Sequence, residues 1–141
     1  MLSIGKLSKA TDVKVPTIRY YEQIGMLPQA DRTAGNQRAY SQATVERLTF
    51  IRHARDLGFS LQSIRDLLEL SDKPDQSCAE VDRIAAQQLA EVSRRIMRLT
   101  ALKDELDRML HHCACGTIAE CRVIEVLGNH DLCEGRHEGD L

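Results

Sequence analysis

Cys78 and Cys113 stand 35 residues apart, which is five heptads. On a helix that spacing returns both thiols to the same stripe. Such a helix spans roughly 52 Å at about 1.5 Å per residue, so the two thiols of one chain cannot share an ion. If two copies pair antiparallel, Cys78 of one meets Cys113 of the other, and Cys121 can fold back as a third thiolate. Thiolates select soft or borderline ions: Zn(II), Cd(II), Pb(II), Hg(II) and Cu(I). The spacing points to a metal centre at a dimer interface.

More donors crowd the same end of the chain. Cys115 lies between Cys113 and Cys121 and could be a fourth ligand or hold a second ion, and His111 and His112 precede it. A solvated histidine pair at a helix end explains those two equally simply. Cys133, with His130 and His137, offers a tail site, against the plainer reading of a polar tail. With five cysteines, the odd count argues against full disulfide pairing, and reduced thiols are the expectation for a cytoplasmic chain.

The elements that must position these groups can be read in outline. Ile4, Leu7 and Ala10 mark a first short helix, and Asp12–Val15 interrupts it. Pro16 then falls in the first turn of a second helix, where proline is accepted, and that helix runs toward a stop at Gly25. Residues 28–40 lack periodicity and suit a short hairpin with Ala34-Gly35-Asn36 at its tip. Ser41 and Ser60 are candidate N-caps for two further helices, the first ending near Gly58. Ser71–Asp75 is a break. Beyond it Ala85, Leu89, Val92, Ile96, Leu99, Leu106 and Leu110 step by threes and fours with charges between them, and Asp82 and Lys103 interrupt the stripe. A single amphipathic helix packed on its own domain is one reading; its length in so short a chain favours self-association. A Gly-containing loop and a short apolar helix at Cys121–Leu127 follow, then a polar tail. The domain boundaries expected are 1–72, 73–112 and 113–141.

Charge divides the chain in the same way. Residues 1–70 carry a net +3 and residues 71–141 a net −5, the pattern of a polyanion-binding front half with a separate regulatory half. Two short helices joined by a tight turn suit a helix-turn-helix, whose second helix enters the major groove. On it Thr17, Arg19 and Tyr20 offer a hydroxyl, a guanidinium and a phenol. The loop after it, with Arg32 and Arg38, resembles a wing that grips phosphates. The bland alternative is a small helical domain with solvated arginines, and Arg52 and Arg55 are equally well read as a solvated face. No apolar run approaches a membrane span, and the first residues lack the apolar stretch of a signal peptide, so a cytoplasmic location is expected. No Ser/His/Asp constellation, phosphate-binding glycine loop or paired catalytic carboxylate stands out, so the chain is not expected to be an enzyme.

The segments Ile18-Arg19-Tyr20-Tyr21-Glu22, Gly25-Met26-Leu27, Arg32…Asn36…Arg38…Tyr40, Leu48-Thr49-Phe50-Ile51-Arg52 and Leu57-Gly58-Phe59-Ser60-Leu61-Gln62-Ser63-Ile64 resemble, in order, the MerR family of transcription regulators. The resemblance covers about residues 1–127. It implies a mainly α fold: a winged helix-turn-helix DNA-binding domain, a long antiparallel dimerisation helix and a C-terminal metal-binding loop. It also implies DNA contacts from Thr17, Arg19, Tyr20, Arg32, Arg38 and Tyr40. The partners it implies are a second copy of the chain, palindromic promoter DNA and RNA polymerase, with transcription activated by distortion of the DNA. In such proteins a cysteine at the start of the dimerisation helix, here Cys78, marks sensors of divalent ions, whereas copper sensors carry serine there. The expected effector is therefore Zn, Cd, Pb or Hg held by Cys78, Cys113 and Cys121, with Cys115, His112 and Cys133 as additional candidates and heavy-metal resistance as the biological setting. A Cu(I) sensor is one competing reading. Another is an iron–sulfur redox sensor, because Cys113-x-Cys115-x5-Cys121 matches most of the cluster loop of redox-sensing relatives. A cluster normally takes four protein ligands, and the fourth cysteine would fall at Leu110.

Overall fold

The computed structural model describes residues 1–111 and 116–129. Its elements run α1 (Ile4–Thr11), α2 (Val15–Gln23), β1 (Asp31–Arg32), β2 (Arg38–Ala39), α3 (Gln42–Asp56), α4 (Leu61–Ser71), α5 (Ala79–His111), a 3-10 turn (Ile118–Glu120) and α6 (Arg122–Gly128). This is the mainly helical winged helix-turn-helix with a long following helix that the sequence implied. His112, Cys113 and Cys115 lie outside the described residues, as do His130, Cys133 and His137 of the tail. The chain divides into two compact units, Met1–Ile84 and Ala85–Leu141, so the first turns of α5 belong with the N-terminal unit.

In the first unit α1 packs on α2 and α3, and α3 on α4. Leu7, Ile18, Met26, Tyr40, Leu48, Ile51 and Ile64 are its fully buried side chains. The helix limits follow from local chemistry. Ser41 and Ser60 cap α3 and α4, their hydroxyls accepting the amides of Thr44 (3.3 Å) and Ser63 (3.1 Å). Ser3 does the same for α1 through Lys6 (3.2 Å), a cap the sequence reading passed over.

α2 ends in a Schellman motif. Gly25 adopts φ +81°, its amide bonds the Glu22 carbonyl (3.2 Å), and Met26 bonds Tyr21 (2.9 Å). Gly58 (φ +85°) closes α3 with the same pair of bonds, to Arg55 (2.9 Å) and from Phe59 to Ala54 (3.1 Å). Both positions need a left-handed backbone that a Cβ disfavours. The wing is a two-residue antiparallel ladder with Asp31 opposite Ala39 and Arg32 opposite Arg38, and Asn36 takes the left-handed turn position. Tyr40 then bridges back to Leu2 through two 2.8 Å backbone bonds, which tie the wing to the start of the chain.

α5 is one helix of 33 residues, about 50 Å long. Its predicted apolar stripe is turned outward: Leu89 is 68% exposed, Ile96 59% and Leu110 66%, with Val92, Leu99 and Leu106 also exposed. Glu80–Arg83 and Glu91–Arg94 pairs hold the polar face. Their guanidiniums keep both carboxyls below the usual glutamate range. Exposed pairs of this kind add little stability. In the second unit Met109 and Val126 are buried, as is Glu105, which pairs with Arg108.

Candidate DNA-binding face and thiol centre

Three arginines hold the segments on either side of α2. Arg47 Nε donates to the Met26 carbonyl (3.1 Å) and Arg65 to that of Ile24, occupying the carbonyls that follow the helix. Arg52 donates to the Asp12 carbonyl and pairs with the Asp12 carboxylate (3.1 Å), bonds from α3 to the turn between α1 and α2, and it also pairs with Asp56 within α3 (3.3 Å). Those partners raise its guanidinium pKa further. Arg52 is therefore a structural staple rather than a solvated charge.

With those segments held, α2 presents Arg19 and Tyr20 (47% exposed) to solvent, while Thr17 is half-buried. Arg32 is exposed on the wing and donates to the Asn36 carbonyl (3.2 Å), bracing the hairpin tip. Arg38 is exposed on β2 and faces α2; Arg19, Glu22, Gln23, Gln29 and Arg38 line one recess between helix and wing.

Tyr40 departs from the expectation of a DNA contact. Its ring is 1% exposed and belongs to the core. Its hydroxyl donates to Glu22 Oε1 at 2.7 Å. Burial, then that hydrogen bond and the Glu22 charge, push the phenol above its ordinary range, partly offset by Arg38. The expectation came from the MerR resemblance, which implies DNA contacts along the wing. Arg38 is exposed, while the next two residues, Ala39 and Tyr40, are both buried as the chain leaves β2.

Glu22 is the residue that sequence reasoning left without a role. It is 5% exposed, and Arg38 Nη1 stands 4.0 Å from its Oε1. Its Oε2 is buried without a hydrogen-bond partner among the described residues. The signal available beforehand was an acidic residue inside an otherwise apolar i, i+3, i+4 face: Ile18, Tyr21 and Glu22 are the buried residues of α2.

Of the thiols, Cys78 immediately precedes α5, is exposed, and donates to Asp82 Oδ2 one turn on (3.8 Å). Cys121 is half-buried at the N-cap of α6, where its carbonyl accepts the Glu125 amide (3.0 Å). Among the described residues no three Cys, His, Asp or Glu side chains gather into a metal-holding group. The expected triad includes Cys113, outside those residues. The donor chemistry fits a soft or borderline divalent ion: an accessible sulfur beside a carboxylate at Cys78, and a second sulfur at Cys121.

The description "MerR HTH family regulatory protein" matches residues 2–71, and "MerR, DNA binding" matches residues 45–109. The transcriptional regulator ZntR of Escherichia coli K12 is 42% identical over 131 residues, covering 90% of this chain and 92% of its own. The chain belongs to the MerR family. Heavy metal-dependent transcription regulator 1 of Rhizobium meliloti is 38% identical over 91% of this chain and 88% of its own. The crystal structure of PbrR691 from Ralstonia metallidurans in complex with lead(II) superposes with a TM-score of 0.76 at 38% identity, covering 90% of this chain and 99% of that one. MerR proteins are DNA-binding transcription regulators and not enzymes. No helix among the described residues is long and apolar enough to cross a membrane.

Proposed function

We propose that this MerR protein is a metal-responsive regulator of the ZntR and PbrR691 kind. Two chains pair antiparallel through the stripe of α5 and bind a palindromic promoter operator with α2 and the wing. A divalent soft or borderline ion (Zn, Cd, Pb or Hg) bridges Cys78 of one chain to Cys113 and Cys121 of the other. Binding biases a two-state dimer toward the form that distorts the promoter and lets RNA polymerase engage it in the cytoplasm. The observation that carries the reading is the outward stripe Leu89–Leu110, an apolar face with no partner within the described residues, on the helix that Cys78 opens. A monomeric helix this long has no reason to expose it. Metal dependence is supported by the relatives' names and by the lead(II) complex.

The test is an anaerobic titration of the reduced full-length apoprotein with Cd(II), following thiolate-to-metal absorbance, beside Cys78→Ser. Loss of most of the absorbance and affinity in the variant is expected. Identical titrations would remove Cys78 from the site and favour a two-cysteine Cu(I) sensor or a site confined to the loop. A protein that purifies coloured under anaerobic conditions would favour the iron–sulfur alternative.

A further inference from the structure

We propose that Glu22 is the positioning residue of the DNA-binding face: its buried carboxylate anchors the Arg38 guanidinium between recognition helix and wing, so that the remaining donors of Arg38 face a DNA phosphate. The inference rests on the operator-binding reading above.

Three observations meet at one carboxylate. Tyr40, from the end of the wing, donates to Glu22 Oε1 at 2.7 Å. Arg38, from β2, brings Nη1 to 4.0 Å of the same oxygen while remaining 41% exposed. Oε2 is buried and receives no hydrogen bond among the described residues. Holding the Tyr40 hydroxyl does not require a charge, since a neutral amide oxygen at the same place can also accept the bond, though more weakly. A buried, half-satisfied carboxylate is costly. Its negative charge has one use in this setting, the attraction of Arg38. A guanidinium carries five donors in a rigid fork, so one edge can stay on Glu22 while the outer edge takes a phosphate oxygen. Anchoring it beforehand removes much of the rotamer entropy that a free arginine loses on binding. Gln29 Nε2 donates to the Glu22 carbonyl (3.4 Å), so the segment leading into the wing is tied to the same residue.

The experiment measures operator affinity of the full-length dimer for wild type, Glu22→Gln, Arg38→Ala and the double variant. The probe is a duplex that the wild-type protein itself selects from a random-sequence pool, titrated over a range of salt. Arg38→Ala, which removes one contact from each half of the dimer, is expected to weaken binding roughly 100-fold and to reduce the salt slope by about 1.8, two phosphate contacts. Glu22→Gln keeps the Tyr40 bond and is expected to weaken binding several-fold with a slope moving toward that of Arg38→Ala. In the Arg38→Ala background Glu22→Gln is expected to cost nothing further. A merely structural role for Glu22 predicts the same loss in both backgrounds, and that result overturns the proposal, as does wild-type affinity in Glu22→Gln.

Arg38→Lys in the native Glu22 background gives a second arm that does not depend on folding of the glutamine variant. A lysine keeps the charge but cannot bridge two anions through a planar fork, so it is expected to bind nearly as weakly as Arg38→Ala. Arg38→Lys at wild-type affinity would refute the anchored-fork geometry. A pool that yields no selected duplex defeats the regulator reading first, and this proposal with it.

Discussion

Tyr40→Phe tests the packing of the wing most directly. The substitution removes one oxygen from a side chain that is 1% exposed and leaves the ring in place, so no cavity forms. What is lost is a 2.7 Å hydrogen bond to a carboxylate whose other oxygen already lacks a partner among the described residues. A hydrogen bond to a charged group is worth about 1.5–3 kcal/mol, and stranding a buried acceptor adds to the cost. A loss of about 2 kcal/mol is expected. For a cooperative unit the size of Met1–Ile84 each kcal/mol moves Tm by roughly 4–8 °C. The assay is urea unfolding at one fixed protein concentration, because dimerisation makes stability concentration-dependent. The pH profile carries a second signature. Folding raises the Tyr40 pKa above 10.0, so the neutral phenol is favoured in the folded state. The associated stability is whole below pH 10.0 and is lost as pH rises through the folded pKa. The wild type is expected to lose this increment of stability above pH 10.0, and Tyr40→Phe to lack it. A loss below about 0.5 kcal/mol, or alkaline limbs that superimpose, would refute the buried Tyr40–Glu22 bond.

Arg19→Ala is expected to weaken specific operator binding by about 1–3 kcal/mol with metal binding untouched; an unchanged footprint would remove Arg19 from the interface. Cys121→Ala is expected to keep DNA binding and lose metal-induced transcription, and a normal response in a reporter strain would exclude it as a required ligand. Ile96→Asp places a charge on the exposed stripe of α5; with two isoleucines each contributing about 1.5–3 kcal/mol on burial, the dimer Kd should rise at least roughly 100-fold by analytical ultracentrifugation. A variant that sediments as wild type would move the interface off that stripe. Coupled binding is reciprocal, so operator DNA must change metal affinity by the factor with which metal changes operator affinity. Equal Cd(II) affinity with and without the duplex would eliminate the two-state mechanism.

Much of the fold was legible because its signals are local. Ser41 and Ser60 cap α3 and α4 as expected, and Gly25 and Gly58 end α2 and α3 with the left-handed backbone that glycine adopts without strain. The stripe from Ala85 to Leu110 announced one long helix, and α5 runs Ala79–His111. The position of the unit boundary was not legible, because the break at Ser71–Asp75 is local chemistry. The grouping of the first turn of α5 with the N-terminal unit depends on tertiary burial, as at Ile84.

For the proposed DNA-binding face, the sequence offers a list of donors and the structure adds their arrangement. Arg19, Tyr20, Arg32 and Arg38 are all at the surface. Which arginines are free to meet a phosphate, however, depends on where the carboxylates and carbonyls of other elements fall. Arg47, Arg52 and Arg65 are consumed in holding the segments on either side of α2, across separations that no periodicity encodes. Tyr40 and Glu22, 18 residues apart in sequence, form one buried pair because Tyr40 leaves the wing on its inward side. A helical acid on the apolar side of an otherwise amphipathic segment is the feature that could have led there. Such a residue must find a donor once folded, and within reach of α2 the wing supplies a hydroxyl and a guanidinium. The same reasoning makes the recognition helix and the wing one device: removing the acid uncouples the arginine that the helix itself does not carry.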